Sequence, residues 1–326
     1  MEQEYVEVPS HSLDMGAPYS QSILDQRRST MSTTSEDANV KIIDSHMHLD
    51  KLQMVSKMHD LNSILEEVPM PATPISLTAA IVSFCHGHID PVEKALIEED
   101  ARLYFTYGIH PKMATYIANS YYREVTKSVN QDPRCVGYGE VGLDYSGRYQ
   151  ETSAVQREVF SRILCKYQKS VEKDSKLVLV IHCRDKVGQT KASTDCLQCL
   201  KRYLSKEIRP KVKLHRHCFN GSWAEVEAWQ SEFPLMKFGF TALLLRGGCH
   251  PELDQVVKRL PLDSLMLESD SPYLQTPVHR EHRFNTAYGI EEVAWRIATL
   301  RDTTTEAVLK ATAKTAALFF SLRTPL

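Results

Sequence analysis

Side chains that commonly bind metal ions stand at the predicted ends of six apolar runs of the sequence. They are His46, His48, His110, Glu140, His182, His217 and Asp270. Neutral imidazoles and carboxylates are the usual ligands of zinc, manganese and magnesium ions. Because side chains alternate along a strand, His46 and His48 would face the same side and could bind one ion. Together these positions predict a metal site, which no single histidine would indicate.

Two further His-x-His pairs are interpreted differently. His86 and His88 flank a glycine and precede an Asp-Pro pair, so we assign them to a loop that leaves the site. His215 would lie one pleat deeper than His217 on the same strand. We therefore expect His215 to support His217 rather than to bind an ion itself.

The elements that must position these groups are short β-branched runs alternating with longer amphipathic segments. Strands are predicted at 40–46, 77–85, 103–109, 134–139, 177–181, 211–217, 236–241 and 264–268. The run at 177–181 is apolar on both faces, which is typical of a parallel strand covered on each side. Eight such strands alternating with helices predict a (β/α)8 TIM barrel. An open doubly wound sheet is the alternative, but the Gly-rich phosphate loop expected after an early strand is absent from the sequence.

Helical patterns fill the segments between and after these runs. They cover 151–173, 187–205, 223–233, 251–260, 291–300 and 304–322. Residues 1–40 are rich in Ser, Thr, Gln and acidic residues without periodicity, which predicts a disordered polar tail. The predicted organisation is therefore this tail followed by one barrel domain, 41–326.

Composition limits the classes of function that remain. Lys and Arg number 39 against 41 Asp and Glu, so the formal charge is −2 and a surface that is basic all over is excluded. No stretch approaches 18 uninterrupted apolar residues, so we expect no membrane span. Eight irregularly spaced cysteines and the lack of a secretory signal favour a reducing cytoplasmic or nuclear location. Nothing in the sequence indicates an obligate protein partner.

Six ordered segments resemble the TatD family of metal-dependent deoxyribonucleases. They are IDSHMHLD (43–50), GIHP (108–111), GEVGLDY (139–145), IHCR (181–184), HCFNGS (217–222) and LESDSPYL (267–274). The resemblance covers about 41–322. The wider amidohydrolase superfamily shares only the first His-x-His and the last aspartate.

The resemblance implies a site for two divalent metal ions (Mg, Mn or Zn). It assigns His46, His48 and Asp270 to one ion, His182 and His217 to the other, and Glu140 to both. Two ions about 4 Å apart can activate a water and stabilise the leaving oxygen of a phosphodiester. Asp270 would also accept a proton from that water, and His110 would contact an oxygen of the phosphate. The implied function is hydrolysis of DNA and/or RNA, as an exonuclease.

Substrate contacts are expected from side chains that follow the strands. The candidates are Lys112, Arg184, Tyr145 and Arg283, with Tyr149, Phe219, Trp223 and Tyr273 interleaved. Basic and aromatic side chains around the end of the barrel where the strands finish would suit phosphates and stacked bases. The sequence departs from the family pattern at Lys112, where a second histidine is usual, and after Asn285, where a proline is usual. Both departures concern the substrate mouth rather than the predicted ligands.

Two other classes of function stay open at this stage. An amidohydrolase that cleaves an amide, lactone or cyclic imide would often carry a carboxylated lysine on strand 4, whereas Glu140 stands there. A non-catalytic scaffold on the same barrel would be expected to have lost a ligand, and none of the predicted ligands is missing. The preferred prediction is therefore a nuclease.

Overall fold

The computed structural model describes residues 39–88, 91–173, 176–186, 188–246, 251–279 and 281–324. Within these ranges eight parallel strands pair in sequence order. They are β1 (Val40–Met47), β2 (Ile75–Phe84), β3 (Leu103–Ile109), β4 (Cys135–Asp144), β5 (Val178–Arg184), β6 (Leu214–Arg216), β7 (Lys237–Phe240) and β8 (Leu265–Leu267). The predicted TIM barrel is confirmed. The predicted tail lies outside the described residues, except for Asn39 and Val40, and Val40 already begins β1.

Ten α-helices lie between or after these strands in the described residues. They are α1 (Leu49–Ser56), α2 (Leu61–Glu66), α3 (Pro91–Glu98), α4 (Asn119–Gln131), α5 (Ser153–Glu172), α6 (Lys191–Tyr203), α7 (Trp223–Gln230), α8 (Pro251–Arg259), α9 (Gly289–Leu300) and α10 (Thr305–Phe320). The six predicted helices correspond to α5–α10 with shifted ends. The first four were not predicted. Helix α4, for example, buries Tyr121, Val125 and Val129, which recur every four residues on one face.

Hydrogen bonds link β1 to β8 and to the segment that follows it, and they bring two parts of the predicted site together. The hydroxyl of Ser45 donates to the carbonyl of Leu267 at 2.9 Å. One step further along, the amide of Asp270 donates to the carbonyl of His46 at 3.0 Å. Asp270 is thereby fixed beside the first His-x-His pair although more than 220 residues separate them in the chain.

Strand β4 contains a bulge that places Glu140 inside the strand rather than at its end. Tyr138 pairs with Leu179 and Val141 with Ile181, so Gly139 and Glu140 together oppose one residue of β5. Such bulges re-aim a side chain, often next to an active site. The predicted end at 139 was wrong because the two glycines around Glu140 interrupt an apolar pattern that continues to Asp144.

Both glycines have positive φ and lie close to β5. Gly139 has a φ of +156° and Gly142 a φ of +145°. A Cβ on Gly142 would lie 1.9 Å from the carbonyl oxygen of His182, so no larger residue fits without separating β4 from β5. The two glycines of the GEVG sequence therefore allow β4 to lie close to β5, and this close approach fixes the positions of Glu140 and His182.

The strands are buried on both faces, as the apolar run at 177–181 predicted. Val178, Leu179, Val180 and Ile181 are fully buried. Helix α10 covers β1 and β8 from outside. In the described part of the chain, no helix combines the length and apolar character that crossing a bilayer requires.

Candidate metal centre

The predicted metal-binding side chains meet at the end of the barrel where the strands finish, here called the mouth. Oε2 of Glu140 lies 3.5 Å from Nε2 of His46 and 3.4 Å from Nε2 of His48. Oδ1 of Asp270 lies 3.8 and 3.6 Å from the same two nitrogens. His46, His48 and Asp270 thus each offer one ligand atom, all within 4.8 Å of one another. This half of the cluster has the composition of a site for one divalent ion.

The other oxygen of Glu140 faces three more imidazoles. Oε1 hydrogen-bonds with Nδ1 of His182 and lies 3.0 Å from Nε2 of His217. Nε2 of His110 lies 3.6 Å from the same oxygen. Glu140 is therefore the one carboxylate between the two halves of the described cluster, reaching five rings with its two oxygens.

Three rings use their second nitrogen on a partner away from Glu140. The contacts are His48 Nδ1 to the carbonyl oxygen of Ser83 at 3.2 Å, His182 Nε2 to Asp144 Oδ2 at 3.1 Å, and His217 Nδ1 to Glu268 Oε1 at 3.3 Å. Ser83 and Asp144 accept a hydrogen from their rings, so the nitrogen that faces Glu140 is the one available to a cation. Metal-binding histidines in proteins are oriented in this way.

His110 has the opposite orientation. Its Nδ1 accepts a hydrogen bond from the amide of Lys112 at 3.1 Å. Burial is the largest influence on this ring and holds its pKa well below the usual range, so the ring is neutral and its hydrogen lies on Nε2. His110 therefore points a donor, not a lone pair, towards the centre, which suits contact with a phosphate oxygen better than with a cation.

Glu268 lies directly behind His215 of β6 and His217, which follows that strand. Its Oε2 lies 3.0 Å from Nε2 of His215, and its Oε1 accepts a hydrogen bond from the amide of Cys218. Because Oε1 also faces His217, one buried carboxylate orients the end of β6. His215 lies two residues before His217 in the chain, and its contact with Glu268 agrees with its predicted supporting role.

The two carboxylates of the centre differ in environment. Burial raises the pKa of Glu140, but the facing rings of His217, His110 and His182 outweigh burial and hold that pKa well below its usual range. For Asp270 burial dominates and raises the pKa to about 6 in spite of His217 and His48. The Asp270 side chain is 13% exposed against 1% for Glu140, so Asp270 is the carboxylate that solvent reaches.

The predicted substrate residues divide into those at the mouth and those beneath it. Lys112 lies at the mouth, with Nζ 3.6 Å from Asp144 Oδ2 and 5.0 Å from the ring centre of Tyr149. Arg184, the last residue of β5, and Arg283, in the segment that follows β8, are both exposed. The structure does not bring Tyr145 or Phe219 to the open mouth.

Tyr145 is a correction to the predicted substrate contacts. It is 1% exposed, and its hydroxyl donates to Asp195 and accepts from Arg157, each at 2.8 Å. Phe219 is likewise buried and packs edge-on against Phe238. Both side chains turn inwards because an aromatic ring gains more from packing than from exposure.

Sequence reasoning missed two neighbours of the centre that follow β2. The ring of His86, which was assigned to a departing loop, stacks on His110 with centres 4.9 Å apart and meets His48 edge-on at 5.1 Å. Cys85 is buried, with Sγ 3.7 Å from Glu140 Oε2. The position directly after an apolar run was the available signal, and the glycine after His86 obscured it.

The residues present fit divalent ions. Six imidazole and carboxylate groups bring their ligand atoms together at the mouth, and Ser83 and Asp144 hydrogen-bond to the outer nitrogens of His48 and His182. Without a cation such a concentration of buried polar groups would be costly. The donor set of nitrogen and carboxylate oxygen is the set that zinc and manganese share.

Comparison with known proteins places the chain in a family. The family model described as TatD related DNase matches residues 43–321. The human 3'-5' RNA nuclease TATDN2 is 31% identical over 233 residues, which are 71% of this chain and 28% of that protein. The uncharacterized metal-dependent hydrolase YabD of Bacillus subtilis is 28% identical over 86% of this chain and 99% of its own length. The 3'-5' ssDNA/RNA exonuclease TatD of a Rahnella strain is 30% identical over 52% of this chain and 57% of its own length.

The solved structures agree on the fold. The Escherichia coli TatD homologue YjjV superposes with a TM-score of 0.65 at 21% identity, covering 86% of this chain and 98% of that one. A TatD family hydrolase from Entamoeba histolytica gives 0.62 at 17% identity, covering 87% and 99%. The chain belongs to the TatD family of metal-dependent nucleases.

Proposed function

We propose that this chain hydrolyses phosphodiester bonds of DNA and/or RNA with divalent ions at the mouth of the barrel. The observation that carries the proposal is the arrangement of His48, His182 and His217 around Glu140, each ring with one nitrogen facing that carboxylate. When bound at such a centre, divalent ions polarise a phosphodiester and lower the pKa of water.

Two ions are proposed because the cluster has two halves joined by one carboxylate. His46, His48 and Asp270 would hold one ion, and His182 and His217 would hold the other. Glu140 would serve both, since its two oxygens face different halves. A shared carboxylate lowers the repulsion between two neighbouring cations.

Asp270 is the proposed proton acceptor for the attacking water. Its carboxylate is the more exposed of the two and ends beside the nitrogens of His46 and His48. Glu140 is enclosed by rings and is left to bind ions. A positioned carboxylate of this kind contributes to hydrolysis by removing a proton as the new bond to phosphorus forms.

His110 and Lys112 would bind the phosphate itself. His110 presents its Nε2 hydrogen to the centre, and Lys112 supplies a cation at the mouth. The exposed Arg184, at the end of β5, and the exposed Arg283, beyond β8, would extend this contact along a polyanion. The names of the human and Rahnella relatives support a nucleic-acid substrate and digestion from the 3' end.

Incubation of the purified protein with end-labelled oligonucleotides tests the proposal. Single-stranded DNA, duplex DNA, RNA and a hybrid are each followed with magnesium, manganese and zinc, and after chelation. We expect metal-dependent shortening of at least one substrate from its 3' end. Inert oligonucleotides together with hydrolysis of small amides or lactones would contradict the proposal and favour amidohydrolase chemistry.

A further inference from the structure

A second group of metal-binding side chains lies next to the centre, where β2 ends. Sγ of Cys85, a ring nitrogen of His86 and a ring nitrogen of His48 all lie within 4.8 Å of one another. Cys85 and His48 are buried and His86 is half-buried. None of the roles proposed above for the hydrolytic centre uses Cys85 or His86.

The spacing of these atoms fits a tetrahedral ion. With bonds of about 2.3 Å to sulfur and 2.0 Å to nitrogen, two ligand atoms of a tetrahedral zinc lie roughly 3.5 Å apart. Sγ of Cys85 lies 3.4 Å from Nδ1 of His86. Oε2 of Glu140, 3.7 Å from Sγ and 3.4 Å from Nε2 of His48, is near enough to complete the set.

The sulfur changes which ions such a site prefers. Thiolate ligands favour zinc and other soft ions, whereas magnesium and manganese favour oxygen. Each ligand assigned above to the hydrolytic ions offers nitrogen or oxygen. The hydrolytic ligands alone would bind zinc and manganese alike, so the thiol beside them would favour zinc.

We propose that Cys85, His86 and His48 bind a thiophilic divalent ion such as zinc, and that this ion inhibits the hydrolytic centre by taking His48. Binding replaces the S–H bond of Cys85 with a sulfur–metal bond, and the proton passes to solvent. His48 is also a proposed ligand of a hydrolytic ion, so the two uses compete. The inhibitory part of this inference rests on the proposed function, whereas the binding part does not.

Cobalt titration of the metal-free full-length protein, without substrate, tests the binding part. Cobalt bound to a thiolate gives a charge-transfer band in the near ultraviolet. We expect this band in the wild type and its loss in Cys85→Ser. In His86→Asn, half-saturation should need at least about tenfold more cobalt, since ligand loss costs no less than the loss of a ligand's partner.

Cys218→Ser is the matched control. Cys218 also follows a strand at the mouth, but its Sγ lies 3.6 Å from the hydroxyl of Thr241. The band should remain in this variant. A band that survives in Cys85→Ser, disappears in Cys218→Ser, or is absent from the wild type would overturn the proposed site. If Cys85→Ser failed to fold, His86→Asn would still test the site, because His86 is only half-buried. An unchanged cobalt titration of His86→Asn would then overturn it.

Zinc inhibition of manganese-supported hydrolysis tests the regulatory part. Each protein is compared with its own uninhibited rate, and Cys85→Ser should need at least about tenfold more zinc for half-inhibition. Equal zinc sensitivity in Cys85→Ser and wild type would overturn the inhibitory role. A cobalt–thiolate band in a protein without phosphodiesterase activity would refute the proposed function and leave the metal site intact.

Discussion

Oδ2 of Asp144 lies 3.1 Å from Nε2 of His182, on the side of the ring opposite Glu140. Oδ1 of the same carboxylate accepts a hydrogen bond from the amide of Ser146 at 2.9 Å. Asp144 is therefore held by the loop that follows β4, and it in turn orients the ring of His182 on β5. This relationship leaves Nδ1 of His182 facing Glu140, where an ion is proposed.

Asp144→Asn should weaken metal binding without removing a proposed ligand. Because Ser146 occupies Oδ1, the new amide nitrogen would face Nε2 of His182 and favour the wrong tautomer. We expect manganese affinity, measured by calorimetry, to fall by about 10–100-fold. Asp195→Asn is the control, since Asp195 contacts Tyr145 rather than a ring of the centre. Equal manganese affinity in Asp144→Asn and wild type would contradict the assigned role.

Lys112→Met should weaken nucleic-acid binding in a salt-dependent manner. Methionine keeps an unbranched apolar stem but removes the cation that lies 3.6 Å from Asp144. We expect KM to rise, and the slope of log affinity against log salt to fall in magnitude by about 0.7–0.9, the value for one phosphate contact. Lys173→Met, at the C-terminal end of α5 and away from the mouth, should leave the slope unchanged. If both variants gave the wild-type slope, Lys112 would be an ordinary surface charge.

His279 should make the protein less stable in acid. The buried ring lies between the hydroxyls of Thr276 and Thr286, at 2.9 and 2.8 Å, and burial lowers its pKa to about 3. Below pH 6.5 the unfolded chain takes up a proton that the folded ring does not, so the free energy of unfolding falls as pH decreases towards 3. This contribution is at most about 1.4 kcal/mol per pH unit.

Urea unfolding of the metal-free protein between pH 7 and pH 4 measures this effect. The stability of His279→Gln should depend less steeply on pH than that of the wild type, by the contribution of one proton. The difference between the two curves separates His279 from the other histidines, which both proteins share. Parallel curves would show that the ring is protonated in the folded state.

Most of the architecture and the members of the centre followed from the sequence, because both depend on local patterns. Apolar runs with a polar residue at the end mark barrel strands and their mouth, and β3 has the predicted bounds. Glu140 was found although its strand was cut short, since the flanking glycines identify the motif. The bulge that directs its side chain depends on pairing with β5, which no single segment encodes. The cytoplasmic or nuclear location stays a prediction.

Contacts between distant segments account for the parts that were missed. Tyr145 follows a strand like the other candidates, but Asp195 and Arg157 hold its hydroxyl below the mouth. His86 lies beside His110 because β2 and β3 are neighbours in the barrel. Side-chain direction at a strand end is set by such neighbours, so residue type and position alone do not determine it.

Turnover and metal content of Glu140→Gln, measured on the same preparation, test the central claim most directly. Glutamine keeps the volume but removes the charge between the two halves of the centre, so the account predicts loss of bound metal and a kcat at least about a hundredfold lower. Glu291 is another buried glutamate, and it accepts a hydrogen bond from the amide of Thr73. The control variant Glu291→Gln should keep both the bound metal and the turnover. Wild-type turnover in Glu140→Gln with two ions still bound would contradict the shared-carboxylate centre.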